Sequence, residues 1–225
     1  LNFIYKRIAK QPDYKDKYFY FAAPYQPEAS SSISTGIYEN LYYTLNFICN
    51  FIPEDSFLYY KEHPSIFKDT EKGYLRRDKN FYLKIKNIKN LKIINSQIDN
   101  YTLIDKSFAT ISIAGTTPWL SLIRNKQTIV LGDHWVSSCK SVLNVNSTEE
   151  FKEAINKINK GFKIDEKDVE EYGQAIFDST YPDLKVAGGR TLEAYGKHYK
   201  PKDHNDQEVK KICDALVRHY RYNFN

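Results

Sequence analysis

The chain has 225 residues, 41% of them apolar and 15% aromatic, which suits a buried core and excludes wholesale disorder. Its net charge of +5 comes from scattered basic residues, which argues against a nucleic-acid-binding stripe and leaves anionic substrates or the inner face of a membrane as partners. No apolar run reaches the roughly eighteen residues of a membrane span, and no secretory signal is visible.

Residues 1–16 read as the end of a helix followed by a polar linker, broken at Pro12-Asp13. Lys17–Ala23 is a strand rich in aromatics, and 24–36 a loop dense in proline and serine. Leu41, Leu45, Ile48 and Ile52 have the spacing of an amphipathic helix over 37–52, stopped by Pro53. Strands are expected at 57–61, 91–95, 108–114, 127–131 and 141–145, and helices at 78–88, 101–106 and 118–124. The stretch 65–76 reads as loop with some helical turn. Ser147 opens a further helix as a capping box with Glu150.

This alternation predicts an α/β fold: a Rossmann-like parallel sheet over 17–162, with helices on both faces and right-handed crossovers. After 163 the strand signal stops. Helices are expected at 165–181 and 206–222, forming a C-terminal helical extension over 163–225.

Cys49, Cys139 and Cys213 fit reduced, buried thiols of a cytoplasmic protein, with no zinc or disulfide spacing. The chain contains no methionine, and we read it as a piece of a longer protein from which an N-terminal partner domain is missing.

Several strand ends carry groups suited to an anion. The first is Lys61-Glu62-His63-Pro64, where Pro64 biases His63 towards an extended backbone and so directs its imidazole. A histidine simply satisfied at a strand end is the plainer alternative. The second is Gly115-Thr116-Thr117-Pro118, in which Gly115 lets the backbone approach a ligand, Thr117 suits an N-cap and Pro118 the first helical position. An ordinary strand-to-helix turn has the same pattern. Gln26, Glu28 and Ser30 follow the first strand and can meet ribose, base or phosphate, or form a solvated loop. Asp133, in Gly132-Asp133-His134-Trp135, can hold a sugar or orient His134, or belong to a plain turn. His198, His204 and Asp206 read better as a solvated loop than as metal ligands, and no residue set has metal-site spacing. The fingerprints of serine hydrolases, P-loop NTPases and NAD dehydrogenases are absent.

In order, residues 18–30 (YFYFAAPYQPEAS), 58–64 (LYYKEHP), 111–119 (ISIAGTTPW) and 130–133 (VLGD) resemble the C-terminal half of bacterial capsule and surface polysaccharide biosynthesis proteins. That group includes Kdo-transferase-like glycosyltransferases of GT-B type, and the resemblance spans roughly 17–160. The His63-Pro64 step is similar to the motif that GT-B sialyltransferases place on the phosphate of CMP-sialic acid. One departure is Pro118 before Trp119 and Leu120 after it, where relatives often carry a glycine and an acidic residue.

The resemblance implies the donor-binding half of a two-domain glycosyltransferase with no cofactor. Its substrate would be a nucleotide sugar, CMP-activated (CMP-Kdo or CMP-sialic acid) ahead of UDP-activated, and its acceptor a glycan. His63 and Gly115-Thr116-Thr117 would hold the donor phosphate, with Lys61 or His63 stabilising the charge of the leaving group. Gln26, Glu28 and Ser30 would line the nucleotide or sugar. The catalytic base would lie in the partner domain. A sugar-nucleotide epimerase of GT-B type and a non-catalytic domain of polysaccharide assembly are the alternatives. The expected location is the cytoplasm, with peripheral contact at the membrane's inner face left open.

Overall fold

Six strands form one parallel sheet in a computed structural model that describes residues 1–27, 29–32, 35–68 and 77–179. They are β1 (Lys17–Ala22), β2 (Ser56–Lys61), β3 (Leu91–Ile94), β4 (Ala109–Ser112), β5 (Thr128–Leu131) and β6 (Leu143–Val145). Both faces of the sheet are covered, so the strands are continuous apolar runs instead of alternating ones. In β1, Tyr18, Phe19, Tyr20 and Phe21 are all fully buried.

The strand order is β3-β2-β1-β4-β5-β6. The chain steps outward from β1 to β3, returns to the centre to lay β4 beside β1, and steps outward on the other side. Where the order reverses, the loops leaving β1 and β4 diverge and open a crevice at the carboxyl edge, the usual ligand position in open α/β sheets.

On one face lie α1 (Asn2–Ile8), α3 (Leu41–Phe51), α4 (Lys79–Ile85) and α7 (Thr148–Asn159). Leu45, Ile48, Tyr82, Ile85 and Phe151 pack there against Phe19, Phe21, Leu58 and Tyr60. On the other face, Leu103 and Ile104 of α5 (Asn100–Lys106) meet Tyr18, Tyr20 and Tyr59, with Leu120 of α6 (Thr117–Leu122) against the same cluster. Two further helices are α2 (Ala29–Ser32), in the loop after β1, and α8 (Glu166–Ser179). The residues divide into a unit over Leu1–Glu170 and a second over Glu171–Asn225, of which the described part, 171–179, is helical.

The predicted helix over 37–52 is two elements. Gly36–Glu39 is a 3-10 turn entered at a positive φ of 54° on Gly36, and Asn40 then caps α3, its side chain accepting the Tyr42 amide at 3.2 Å. The helical turn expected in the stretch 65–76 is a 3-10 turn that starts one residue earlier, Pro64–Phe67, and 69–76 lie outside the described residues. At α7, Ser147 accepts the Glu150 amide at 3.2 Å, as a capping box requires, but Glu150 takes the Asn146 amide (2.6 Å) instead of that of Ser147. Glu28, Cys213, the expected helix over 206–222, and His198, His204 and Asp206 lie outside the described residues.

Candidate functional site

Parallel strands deliver all their carboxyl ends to one edge. Ala22 of β1 pairs with Lys61 of β2, and Phe21 with Ile111 of β4, so the loops after β2, β1 and β4 follow one another across the crevice. Close contacts tie them together. The rings of Tyr25 and His63 lie 5.9 Å apart, joining the loops after β1 and β2. Gly132, after β5, has φ +77°, and a Cβ there would stand 3.3 Å from the Thr35 carbonyl of the β1 loop. The Trp135 indole donates to the Gly115 carbonyl at 3.1 Å, joining the loops after β5 and β4.

His63 is half-buried and extended (φ −68°, ψ 128°), the backbone expected before proline. Its Nδ1 accepts the Ser65 amide at 3.2 Å, which makes Nε2 the proton-bearing nitrogen of the neutral ring. Lys61 is 6% exposed. Its ammonium donates to the Ile98 carbonyl and to Asn100 Oδ1, the latter at 2.5 Å, so two of its N–H groups are directed at the start of α5 and the loop before it. Burial pulls its pKa down to about 8, opposed by Asp99.

Between these two residues, Glu62 turns to the opposite face, and sequence reasoning assigned it no role. Its carboxylate accepts from Arg77 Nε (3.0 Å), the hydroxyls of Tyr60 (2.6 Å) and Tyr82 (2.8 Å), and the His63 amide (3.0 Å). Arg77 is equally buried, and it also donates to Gln26 Oε1 (2.8 Å) and the Pro24 carbonyl (3.3 Å). Burial works against its charge, but Glu62 and the two tyrosines outweigh it and raise its pKa above the ordinary value. Gln26 completes the clasp, donating to the carbonyls of Ser31 (2.8 Å) and Glu39 (3.0 Å). One guanidinium thus fixes the β1 loop to the residue that carries His63. The available sequence signal was a carboxylate directly after a buried strand, which requires a partner. A cavity of about 180 Å³ lined by Gln26, Glu39, Asn40, Leu41, Arg77 and Phe81 adjoins the clasp.

After β4, Gly115 takes φ +91° with open space where a Cβ would be. Gly115 and Thr116 are exposed, and among the described residues neither amide has a hydrogen-bond acceptor. The N-cap is Thr116, without a side-chain cap bond, so Thr117 and Pro118 sit one place further into α6 than predicted. Proline is tolerated throughout the first helical turn, so the sequence did not fix that register. Buried hydroxyls hold α6 down: Thr110 bonds Thr128 (2.9 Å) and Ser121 (2.8 Å), and Ser121 donates to the Thr117 carbonyl (2.8 Å).

Asp133 is exposed at the same edge, and Ser30 lies on α2. His134 Nδ1 accepts the Val136 amide at 3.2 Å. Burial lowers its pKa, partly offset by the nearby Gly115 carbonyl. That carbonyl is engaged by Trp135, and His134 Nε2 makes no hydrogen bond of normal geometry. With Ser32 Oγ it is one of two buried polar side-chain atoms lacking a partner among the described residues, and both belong to loops of this edge. Cys139 is buried as expected and Cys49 only partly; both are free thiols, raised to about 11 and about 12, each mainly by burial. Among the described residues no cluster of three histidine, cysteine or acidic side chains could hold a metal, and no helix is long and apolar enough to cross a membrane.

The fold defines a Rossmann-like α/β unit whose strand order reverses between β1 and β4. No protein-family model and no curated protein matches the chain. Among solved structures, the chain is similar to UDP-GlcNAc 2-epimerase from Methanocaldococcus jannaschii, with 15% identity, a TM-score of 0.48, and coverage of 77% of this chain and 48% of that one. The same enzyme in complex with UDP-GlcNAc and UDP gives 14%, 0.46, 77% and 47%. KpsC of Thermosulfurimonas dismutans, a β-Kdo 2,7 transferase, gives 13%, 0.46, 68% and 49%. The chain spans about half the length of these solved chains.

Proposed function

We propose that this chain is the donor-binding domain of a bacterial glycosyltransferase acting on capsule or surface polysaccharide at the cytoplasmic side of the membrane. The observation that carries the reading is the tied set of loops at the strand reversal, which gathers His63, Gly115, Thr116 and Asp133 at one edge. Exposed amides and the His63 Nε2 proton suit a phosphate, and at that position they can stabilise the charge that develops as a nucleotide leaves a sugar. Lys61 contributes positive charge from behind the sheet edge. The His63-Pro64 step, through its resemblance to the sialyltransferase motif, favours a CMP-sugar over a UDP-sugar. Gln26 serves this site by holding its loop.

Calorimetric titration with CMP and with UDP tests the reading. The expected outcome is binding of CMP, tighter than UDP. A hydrogen bond to a charged group contributes about 1.5–3 kcal/mol, so His63→Ala should weaken CMP roughly ten- to a hundredfold. Absence of binding for both nucleotides, with circular dichroism intact, overturns the proposal.

A further inference from the structure

We propose that the outer face of α1, α4 and α3 is a docking surface for an anionic lipid bilayer. The basic residues are scattered along the sequence, but the fold gathers some of them. Neither 1–12 nor 79–90 contains an acidic residue, and both are rich in lysine or arginine. The Tyr5 and Tyr82 rings, 5.2 Å apart, join α1 to α4 on one side of the sheet.

Helical spacing decides what each helix turns outward. α1 buries Tyr5 and half-buries Ile4 and Ile8. On its opposite side Phe3, 76% exposed, is flanked by Lys6 and Arg7, three and four positions on. α4 buries Tyr82 and Ile85. On its opposite side Leu83, 40% exposed, is flanked by Lys79 four positions before and Lys86 three after. Both helices therefore present an apolar side chain set among cations, and Lys84 and Lys89 are exposed beside them. None of these cations has an acidic partner among the described residues. The adjacent Asp78 caps α4, its carboxylate accepting the Phe81 amide at 2.6 Å. Next to α4, α3 has no charged residue and exposes Tyr43 (68%). Beyond α3, α7 exposes Glu149, Glu150 and Glu153, and the acid-free surface ends there.

A bilayer with anionic headgroups matches both halves of this pattern. Its phosphates attract the cations, Phe3 and Leu83 enter the acyl boundary, and a tyrosine suits the headgroup level. Lysine and arginine stems are long enough to keep their charges in water while the apolar tips insert. A nucleic acid would answer the cations and leave the exposed apolar side chains without a counterpart. The face is separate from the crevice at the carboxyl edge, so vesicle binding and CMP binding can fail independently.

Sedimentation of the full chain with phosphatidylcholine vesicles, with and without phosphatidylglycerol, tests the proposal. Binding should require the anionic lipid and weaken as salt is raised. One cation near an anionic surface is worth about fivefold in affinity, so Lys79→Gln/Lys86→Gln should weaken binding roughly twenty-fivefold. Leu83→Gln should weaken it too, without changing its dependence on salt, because apolar insertion is not screened. The proposal is overturned by no sedimentation with the mixed vesicles, by equal sedimentation with neutral ones, or by unchanged affinity in a natively folded double lysine variant. Each of those outcomes leaves the donor-binding reading standing.

Discussion

Arg77 joins two of the loops at this edge. Its guanidinium touches Glu62, Gln26 and Pro24, and through them sets the β1 loop and the backbone of His63. Removing one partner of a buried ion pair leaves the other charged and dry, at a cost of about 3–5 kcal/mol, whereas replacing both removes that penalty. Arg77→Met should therefore lose about that much stability in urea unfolding. The double variant Arg77→Met/Glu62→Gln should lose clearly less. If the single and double variants are equally destabilised, the pair is not the origin of the effect.

At the scale of elements, the two glycines of the edge are conformationally alike and sterically different. Gly115 (φ +91°) faces open space, so Gly115→Ala meets only the cost of an unfavourable backbone, about 1–2 kcal/mol. Gly132 (φ +77°) adds a Cβ that would press on the Thr35 carbonyl and the Tyr38 ring. Gly132→Ala should therefore be the more destabilising of the two by denaturant midpoint, and it should also displace the loop after β1. Equal midpoints would count against the loop contact. The strands were legible in the sequence because a strand buried on both faces is an unbroken apolar run, as in Tyr18–Phe21. The loop positions of His63, Gly115 and Asp133 followed from those strands. The break before α3 was not legible, because apolar spacing continues past Asn40 and the interruption depends on the backbone of Gly36. The clasp was not legible either: Glu62 and Arg77 are 15 residues apart and meet only in three dimensions.

Across the whole molecule, the aromatic core makes stability depend on alkaline pH. Tyr5, Tyr18, Tyr20, Tyr59, Tyr60 and Tyr82 all have pKa values raised above the ordinary 10, each chiefly by burial. A tyrosine whose folded pKa exceeds its unfolded one contributes stability that is intact below about pH 10 and lost above it, where the unfolded chain releases its proton first. Each such residue adds a slope of about 1.4 kcal/mol per pH unit. Lys61 acts in the opposite sense: its folded pKa of about 8 lies below the unfolded value of about 10.4, so it adds stability as pH rises between them. Cys49 and Cys139, raised to about 12 and about 11, act in the same sense as the tyrosines from about pH 8.5, so the urea midpoint should hold or rise slightly from pH 8 to about 8.5, decline above that and fall steeply above pH 10. A midpoint unchanged above pH 10 would contradict the burial of these hydroxyls.

The same strand order has a mechanical consequence. The sheet is two three-stranded halves, β3-β2-β1 and β4-β5-β6, paired along one joint of three positions, Phe19–Ala109, Tyr20–Thr110 and Phe21–Ile111. Phe47 of α3 packs on Phe151 of α7 across that joint, and the Thr35 carbonyl lies close to Gly132 at the edge above it. A molecule lodged in the crevice would rest on both halves, so its binding free energy would resist their separation.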